Sequence, residues 1–391
     1  MFKAYKYRLY PNAKQRELLE KHFGCVRFIY NKGLELKSEA WHRDKTKLTR
    51  YDLQREIVKL KKSSAVWLRE VNAQALQFAL FNLDTAFTRF FRKKSGFPRM
   101  KSRRNAQAFS CPQQNRVDFS RGLFHTVKFK EGIKAKFSRE FAGKIKTCTV
   151  SKTASGKYFV SILVEESKAT PEPIPAKLDS CVGIDLGIKD FAVFSDGSRV
   201  ENPKFLHRKL KKLRRASRAH SRKVKGGKNR AKSRVKLARI HENVANARRD
   251  FHHKLAKSVA ENQGYGCVAM ESLAIQEMQK KTRGKLPRYI ADAGWYQFKT
   301  ILKYKLEDRG KTLIEIERFA PSSKTCSCGC VNAELKLAER VWTCKSCAVT
   351  HDRDLLAAQN IRKFAFLGRG APDFKSAEKS VGISAKQKGA V

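Results

Sequence analysis

Val182-Gly183-Ile184-Asp185-Leu186-Gly187 places one acid inside a run that is otherwise apolar or glycine. The run reads as a buried strand, and Cys181 to Phe194 as two strands folded about the turn at Gly187. A charged side chain in a buried strand is costly unless a cation or hydrogen-bond donors meet it. Glu271 follows Gly266-Cys267-Val268-Ala269-Met270 in the same way, closing a second buried strand that begins near Tyr265. Asp352 and Asp354 open a helical pattern from His351 to Phe366, where the helix N-terminus favours negative charge. Taken singly, each acid reads more readily as a turn, strand-end or cap residue. Together, far apart in sequence and in a strongly basic chain, they form a candidate set of hard oxygen ligands. Phosphodiester hydrolysis uses such a set to hold two Mg²⁺ ions about 4 Å apart.

The charge supplies the partner. The 391 residues carry 85 Lys and Arg against 36 Asp and Glu, a formal charge of +49. A folded chain repels itself at that charge unless a polyanion neutralises it, so nucleic acid is expected and simple solubility is a weak account. Residues 208–239 are half Lys or Arg with no acid among them, helical in pattern and broken at Gly226-Gly227. That run reads as a groove for polyphosphate. The start, Met1-Phe2-Lys3-Ala4-Tyr5, lacks the apolar core of a signal peptide, and no run approaches a membrane span. A cytoplasmic, nucleoid-associated protein with no membrane partner is expected.

Five of the ten cysteines lie between Cys326 and Cys347, and the rest are scattered, which suits reduced core thiols and one metal cluster. Cys344-Lys345-Ser346-Cys347 has the spacing of a zinc knuckle. The upstream half, Cys326-Ser327-Cys328-Gly329-Cys330, is irregular. Cys326 with either Cys328 or Cys330 completes four thiolates, a structural Zn²⁺ site with no open position for catalysis.

Around these motifs the texture changes three times. Phe2 to Tyr10 alternates as a strand with Tyr5, Tyr7 and Leu9 on one side, and Asn12 with Gln15 forms a capping box for a helix. A second helix follows Thr49, and a third runs from about Asn72 to Lys94 with Leu76, Leu80, Leu83, Phe87, Phe90 and Phe91 on its buried face. Short strands follow, among them Leu123–Lys130 and Thr147–Lys152, the latter joined to Tyr158–Val164 by a hairpin at Ala154-Ser155-Gly156. They suggest a small β-barrel completed by the first strand. Thr170-Pro171-Glu172-Pro173-Ile174-Pro175 reads as a stiff linker. Later come a helix from Trp295 to Arg309, a strand from Thr312 to Phe319, and a tail from Gly368 whose composition is that of disorder.

Gly183-Ile184-Asp185-Leu186-Gly187-Ile188-Lys189-Asp190, Met270-Glu271-Ser272-Leu273 and His351-Asp352-Arg353-Asp354, with Ala357-Ala358 and Asn360-Ile361, resemble the three RuvC motifs of the TnpB family. TnpB proteins are transposon-encoded, RNA-guided DNA nucleases related to type V CRISPR effectors. The resemblance extends to Tyr7-Arg8-Leu9-Tyr10-Pro11, Gly96-Phe97-Pro98-Arg99-Met100-Lys101 and, most specifically, Pro321-Ser322-Ser323-Lys324-Thr325-Cys326. It implies a multidomain α+β chain: a β-barrel wedge (1–10 and 96–176), a helical recognition domain (11–95), an RNase-H-like RuvC domain (177–317 and 351–367), a zinc-ribbon insertion (318–350) and a tail (368–391).

The family pattern implies that Asp185, Glu271 and Asp354 hold the two Mg²⁺ ions, with Asp352 as their neighbour. It favours Cys328 over Cys330 as the zinc ligand, while Cys330 gives the easier spacing. It also implies a guide RNA from the transposon end, a double-stranded target cut beside a short motif, and a functional link to a companion transposase. Tyr51, Gln74 and Gln77 are the candidate contacts to that motif. Where the family often carries Asn two residues after the third acid, this chain has Leu356. Two rival readings are a DNA transposase, disfavoured by the acid order Asp, Glu, Asp, and a transposon-encoded regulator that binds nucleic acid without cutting.

Overall fold

The computed structural model describes residues 1–366, apart from 105, 168, 170 and 337. Two compact units emerge: residues 1–169 with 226–239, and residues 170–225 with 240 onward. The tail expected from Gly368 lies outside the described residues.

The first unit begins with β1 (Phe2–Tyr10) and α1 (Ala13–Asp44), joined by the Asn12–Gln15 capping box. Then come α2 (Arg50–Lys62), capped by Thr49, a 3₁₀ turn at Val66–Glu70, and α3 (Ala73–Phe91), capped by Asn72. The strands are β2 (Gln107–Cys111), β3 (Arg116–Asp118), β4 (Leu123–Thr126), β5 (Phe129–Lys136), β6 (Lys144–Lys152) and β7 (Tyr158–Glu165). They pair antiparallel in the order β2-β6-β7-β1-β5-β4-β3, so the N-terminal strand lies in mid-sheet. β2 and β3 are the edges and do not pair with each other in this sheet.

Tyr5, Tyr7 and Leu9 are buried together with Leu19, Phe23 and Ile29 of α1 and Leu76, Leu80 and Leu83 of α3. Helices and sheet therefore share one core. Two sequence expectations need correction here. Leu123–Lys130 is not one strand, because a turn separates β4 from β5. The last turn of α3 lies beyond the sheet's cover: Phe91 is 74% exposed and rests against Phe87 and Phe90.

The second unit opens with β8 (Cys181–Leu186), β9 (Asp190–Phe194), β10 (Arg199–Glu201) and α4 (Phe205–Ser221); α5 (Lys228–Glu261) follows, its residues up to Arg239 belonging to the first unit and the rest to the second. Gly226, at φ +87°, sits in the break between these helices. After α5 come β11 (Cys267–Glu271), α6 (Ile275–Lys281), α7 (Leu286–Ala293), α8 (Trp295–Glu307) and β12 (Thr312–Ile316). The chain closes with β13 (Val341–Thr343), β14 (Thr350–Asp352) and α9 (Arg353–Phe364).

The five-stranded sheet runs β10-β9-β8-β11-β12. An antiparallel hairpin series meets two parallel strands, and the central β8 and β11 are buried as their apolar runs require. Val182, Ile184, Phe191, Val268 and Met270 pack with Phe298 and Leu302 of α8. β12 ends at Ile316, short of the expected Phe319. His351 and Asp352 belong to β14, so the last helix starts two residues later than its sequence pattern indicates. Among the described residues no helix is long and apolar enough to cross a membrane.

Candidate active site and cysteine cluster

β8 and β11 are parallel neighbours with Ile184 opposite Met270, so the next step of the register sets Asp185 beside Glu271. Both acids stand where their strands leave the core. The third comes from α9, which packs across β8 at Gly183. A Cβ there would lie 2.0 Å from the Ala358 carbonyl oxygen, so only glycine allows this approach. That approach carries Asp354, in the first turn of α9, to the other two acids.

Their convergence is visible electrostatically. Burial, followed by the charges of Glu271 and Asp354, pushes the Asp185 carboxyl up to about 8. Burial raises Glu271 as well, opposed by a hydrogen bond from the Ser322 hydroxyl. Three crowded carboxylates are a poor arrangement unless positive charge joins them. Arg340 supplies some of it, donating Nη1 to both oxygens of Asp354 at 2.9 and 3.1 Å. The β13–β14 pairing brings it there, because Arg353 N donates to Arg340 O at 2.8 Å. Asp352 serves the fold instead, capping α9 through the amides of Asp354 and Leu355 and pairing with Arg199 at 2.9 Å. The donor set fits Mg²⁺, which prefers carboxylate oxygens.

The structure brings Cys326, Cys328, Cys344 and Cys347 together, their sulfurs all within 4.8 Å of one another, and leaves Cys330 out. Cys326 and Cys347 sulfurs are 3.5 Å apart, and those of Cys328 and Cys344 3.7 Å. A tetrahedral zinc with bonds near 2.3 Å sets its sulfurs about 3.8 Å apart, so the donor set fits. The amides of Cys347 and Ser346 lower the Cys344 thiol, whereas neighbouring thiols raise those of Cys328 and Cys347. Cys330 instead offers its carbonyl to Cys326 N at 2.8 Å, closing the tight turn through Gly329. Leu356 is 4% exposed and packs with Cys326, Leu335, Trp342 and Cys344. It is a core residue of the cluster.

Sequence reasoning missed Arg340, Ser322 and Asn360 as site residues. Asn360 was legible within its motif, but its two bonds, to Ser322 O and Thr325 O, depend on tertiary contact. Of the residues proposed to read a DNA motif, Gln74 bonds to Gln113, Gln77 is exposed, and Tyr51 is exposed beside Arg50. All three belong to the first unit.

With this geometry in place, comparison with known proteins gives the family. Residues 161–282 match a model described as "Probable transposase", and residues 295–361 one described as "Cas12f1-like, TNB domain". A Streptomyces pristinaespiralis protein named "Putative RNA-guided DNA endonuclease" is 39% identical over 92% of this chain and 88% of its own length. The chain belongs to the TnpB family. A second relative of this TnpB protein, "Putative RNA-guided DNA endonuclease InsQ" of Escherichia coli (strain K12), is 31% identical over 92% of this chain and 91% of its own. In fold, the TnpB chain resembles the protein of a Cas12f1-sgRNA-target DNA complex, with TM-score 0.56, 14% identity, and coverage of 93% and 98% of the two chains. A "Helix-turn-helix domain" model matches residues 1–46, where this TnpB chain has β1 and the single helix α1.

Proposed function

We propose that the chain is an RNA-guided DNA endonuclease that cuts double-stranded DNA beside a short motif. The placement of Asp185 and Glu271 at the ends of adjacent parallel strands, with α9 and its Asp354 crossing at Gly183, carries the reading, and the names of the full-length relatives support it. In this reading residues 177–317 and 351–367 are an RNase-H-like RuvC domain, 318–350 a zinc-ribbon insertion, and the strands with the helices of residues 1–176 a wedge and recognition region. A companion transposase is the functional neighbour proposed.

Asp185, Glu271 and Asp354 would hold two Mg²⁺ ions, which would supply the Lewis acidity that phosphodiester hydrolysis needs. The chain's own work is positional. β8 and β11 fix two acids on adjacent strands, and Gly183 lets α9 bring the third. Arg340 and Arg353 lessen the repulsion among them. Zinc on Cys326, Cys328, Cys344 and Cys347 is structural, because four thiolates leave it no open position. The charge of +49 serves the nucleic-acid backbones, whose contacts carry affinity while base pairing carries sequence. Tyr51, Gln74 and Gln77 are proposed contacts to the DNA motif.

The intact acid set favours cleavage over a binding-only regulator. The test copurifies the protein with its RNA, sequences that RNA, and challenges the complex with a plasmid library of randomised flanks. A discrete RNA and depletion of one flank are expected, with Asp185→Ala keeping the RNA but not the cutting. No discrete RNA and no depleted flank would overturn the reading.

A further inference from the structure

Between β12 and the cysteine cluster runs Pro321-Ser322-Ser323-Lys324-Thr325-Cys326, a short turn unusually rich in buried polar groups. Ser322 is 3% exposed, Thr325 is wholly buried, and Asn360, which reaches them from α9, is 2% exposed. Buried polar groups are costly unless satisfied, and here each has a partner. Lys324 N and Thr325 N donate to Pro321 O at 3.0 and 3.1 Å, and Thr325 Oγ1 donates to the same oxygen at 2.8 Å. Asn360 Nδ2 donates to the carbonyls of Ser322 and Thr325, at 2.8 and 2.6 Å. These bonds fix the backbone of the turn. The Ser322 hydroxyl is left to point elsewhere, and it donates to Oε1 of Glu271.

That last bond is not needed to hold the turn, because every bond from Asn360 goes to backbone carbonyls. Alanine at position 322 would keep all of them. Among the described residues the hydroxyl bonds to Glu271, occupying one oxygen and restricting rotation of the carboxylate. Asn360 lies on the helix that carries Asp354, and Cys326 directly follows the turn, so one small network ties the second acid to the third and to the cysteine cluster.

We propose that Ser322, held by Asn360, is a positioning residue for Glu271, fixing its carboxylate in the orientation that shares a divalent cation with Asp185 and Asp354. The proposal rests on the nuclease reading above. Outer partners of this kind matter because a metal site binds well only when its ligands are already oriented.

The test uses the full chain with its copurified RNA and Mn²⁺ as the probe, titrated by electron paramagnetic resonance without DNA. Ser322→Ala should weaken Mn²⁺ binding about tenfold or more. Its zinc content and melting temperature should match the wild type, and Ser322→Thr, which keeps the hydroxyl, should recover most of the affinity. The Mg²⁺ concentration for half-maximal cleavage should shift in parallel. Equal Mn²⁺ affinity in Ser322→Ala and wild type overturns the proposal, as does a loss that tracks falling zinc content and stability. Wild-type protein that binds Mn²⁺ yet never cuts DNA sinks the nuclease reading instead, while the titration still decides the role of Ser322. Wild-type protein that binds no Mn²⁺ removes both.

Discussion

Arg340 and Asp354 form a forked contact, one guanidinium nitrogen lying 2.9 and 3.1 Å from the two carboxylate oxygens. The positive charge occupies the carboxylate that a divalent cation would use, so arginine and metal compete for it. The pair is half exposed on the arginine side, which limits its strength to about 1 kcal/mol. Arg340→Ala should therefore tighten Mn²⁺ binding by roughly fivefold. Titration of both proteins at equal ionic strength checks this, and weaker binding by the variant would show that Arg340 supports the metal.

Asp185 predicts an unusual pH dependence. Its folded-state carboxyl lies near 8, above its ordinary 3.8. A raised pKa means a stabilising contribution present below about 4 and lost as pH rises through 8. In EDTA, Asp185→Asn should therefore be more stable than wild type at pH 8 and nearly equal to it at pH 4. Added Mg²⁺ should raise the melting temperature of wild type more than that of the variant. Paired melts at the two pH values decide it; an Asp185→Asn protein less stable at pH 8 in EDTA contradicts the crowded-carboxylate account.

Gly183→Ala should dislodge α9. The new methyl would meet the Ala358 carbonyl at 2.0 Å and the Arg362 amide at 2.8 Å, both of them backbone. Overpacking against groups that cannot rotate away costs about 3 kcal/mol or more. Denaturant unfolding should show that loss, and Mn²⁺ binding should fall because Asp354 moves with its helix.

The cysteine cluster makes a sharp distinction between neighbours two residues apart. Cys328→Ser should lose zinc, whereas Cys330→Ser should retain one ion per chain, because only Cys328 joins the four close sulfurs. Metal analysis of the purified variants is sufficient. Full zinc in Cys328→Ser would reassign the ligand.

His22 makes the first unit sensitive to acid. Its Nδ1 lies 2.7 Å from Leu18 O and its Nε2 accepts from Asn72 N, so the neutral ring is satisfied and a second proton has no acceptor. Burial, foremost, lowers its pKa from 6.5 to about 4. A depressed histidine costs stability as pH falls from 6.5 towards 4, by about 3 kcal/mol at most. His22→Gln can donate and accept in the same places and should flatten that part of the stability curve. An unchanged slope in the variant would assign the acid sensitivity to other groups.

Much of this is legible in the sequence. The strand of alternating Tyr5, Tyr7 and Leu9, the Asn12–Gln15 cap and the Gly187 turn are local features whose physics acts over a few residues, and each appears in the structure. The extent of α3's buried face was not legible, since Phe91 has the right period yet stays exposed, while Phe87 packs on the core and meets Phe97. The strand at Thr350–Asp352 was hidden for a related reason. Three residues carry no periodicity, and their partner is Val341–Thr343 across the cluster.

Sequence by itself determined the chemistry available here: acids in apolar strands, cysteines in knuckle spacing, and an excess of positive charge that calls for a polyanion. Tertiary structure decided which of those groups act together. It chose Cys328 over Cys330 by the turn at Gly329, and made Asp352 a helix cap beside Asp354 in the acid cluster. It gave Leu356 a place beneath the cysteines and brought Arg340, Ser322 and Asn360 to carboxylates or turns remote in sequence. The reason is physical: spacing along a chain fixes which side chains can share a strand or a turn. Only packing, as where α9 crosses Gly183, fixes which atoms lie within bonding distance.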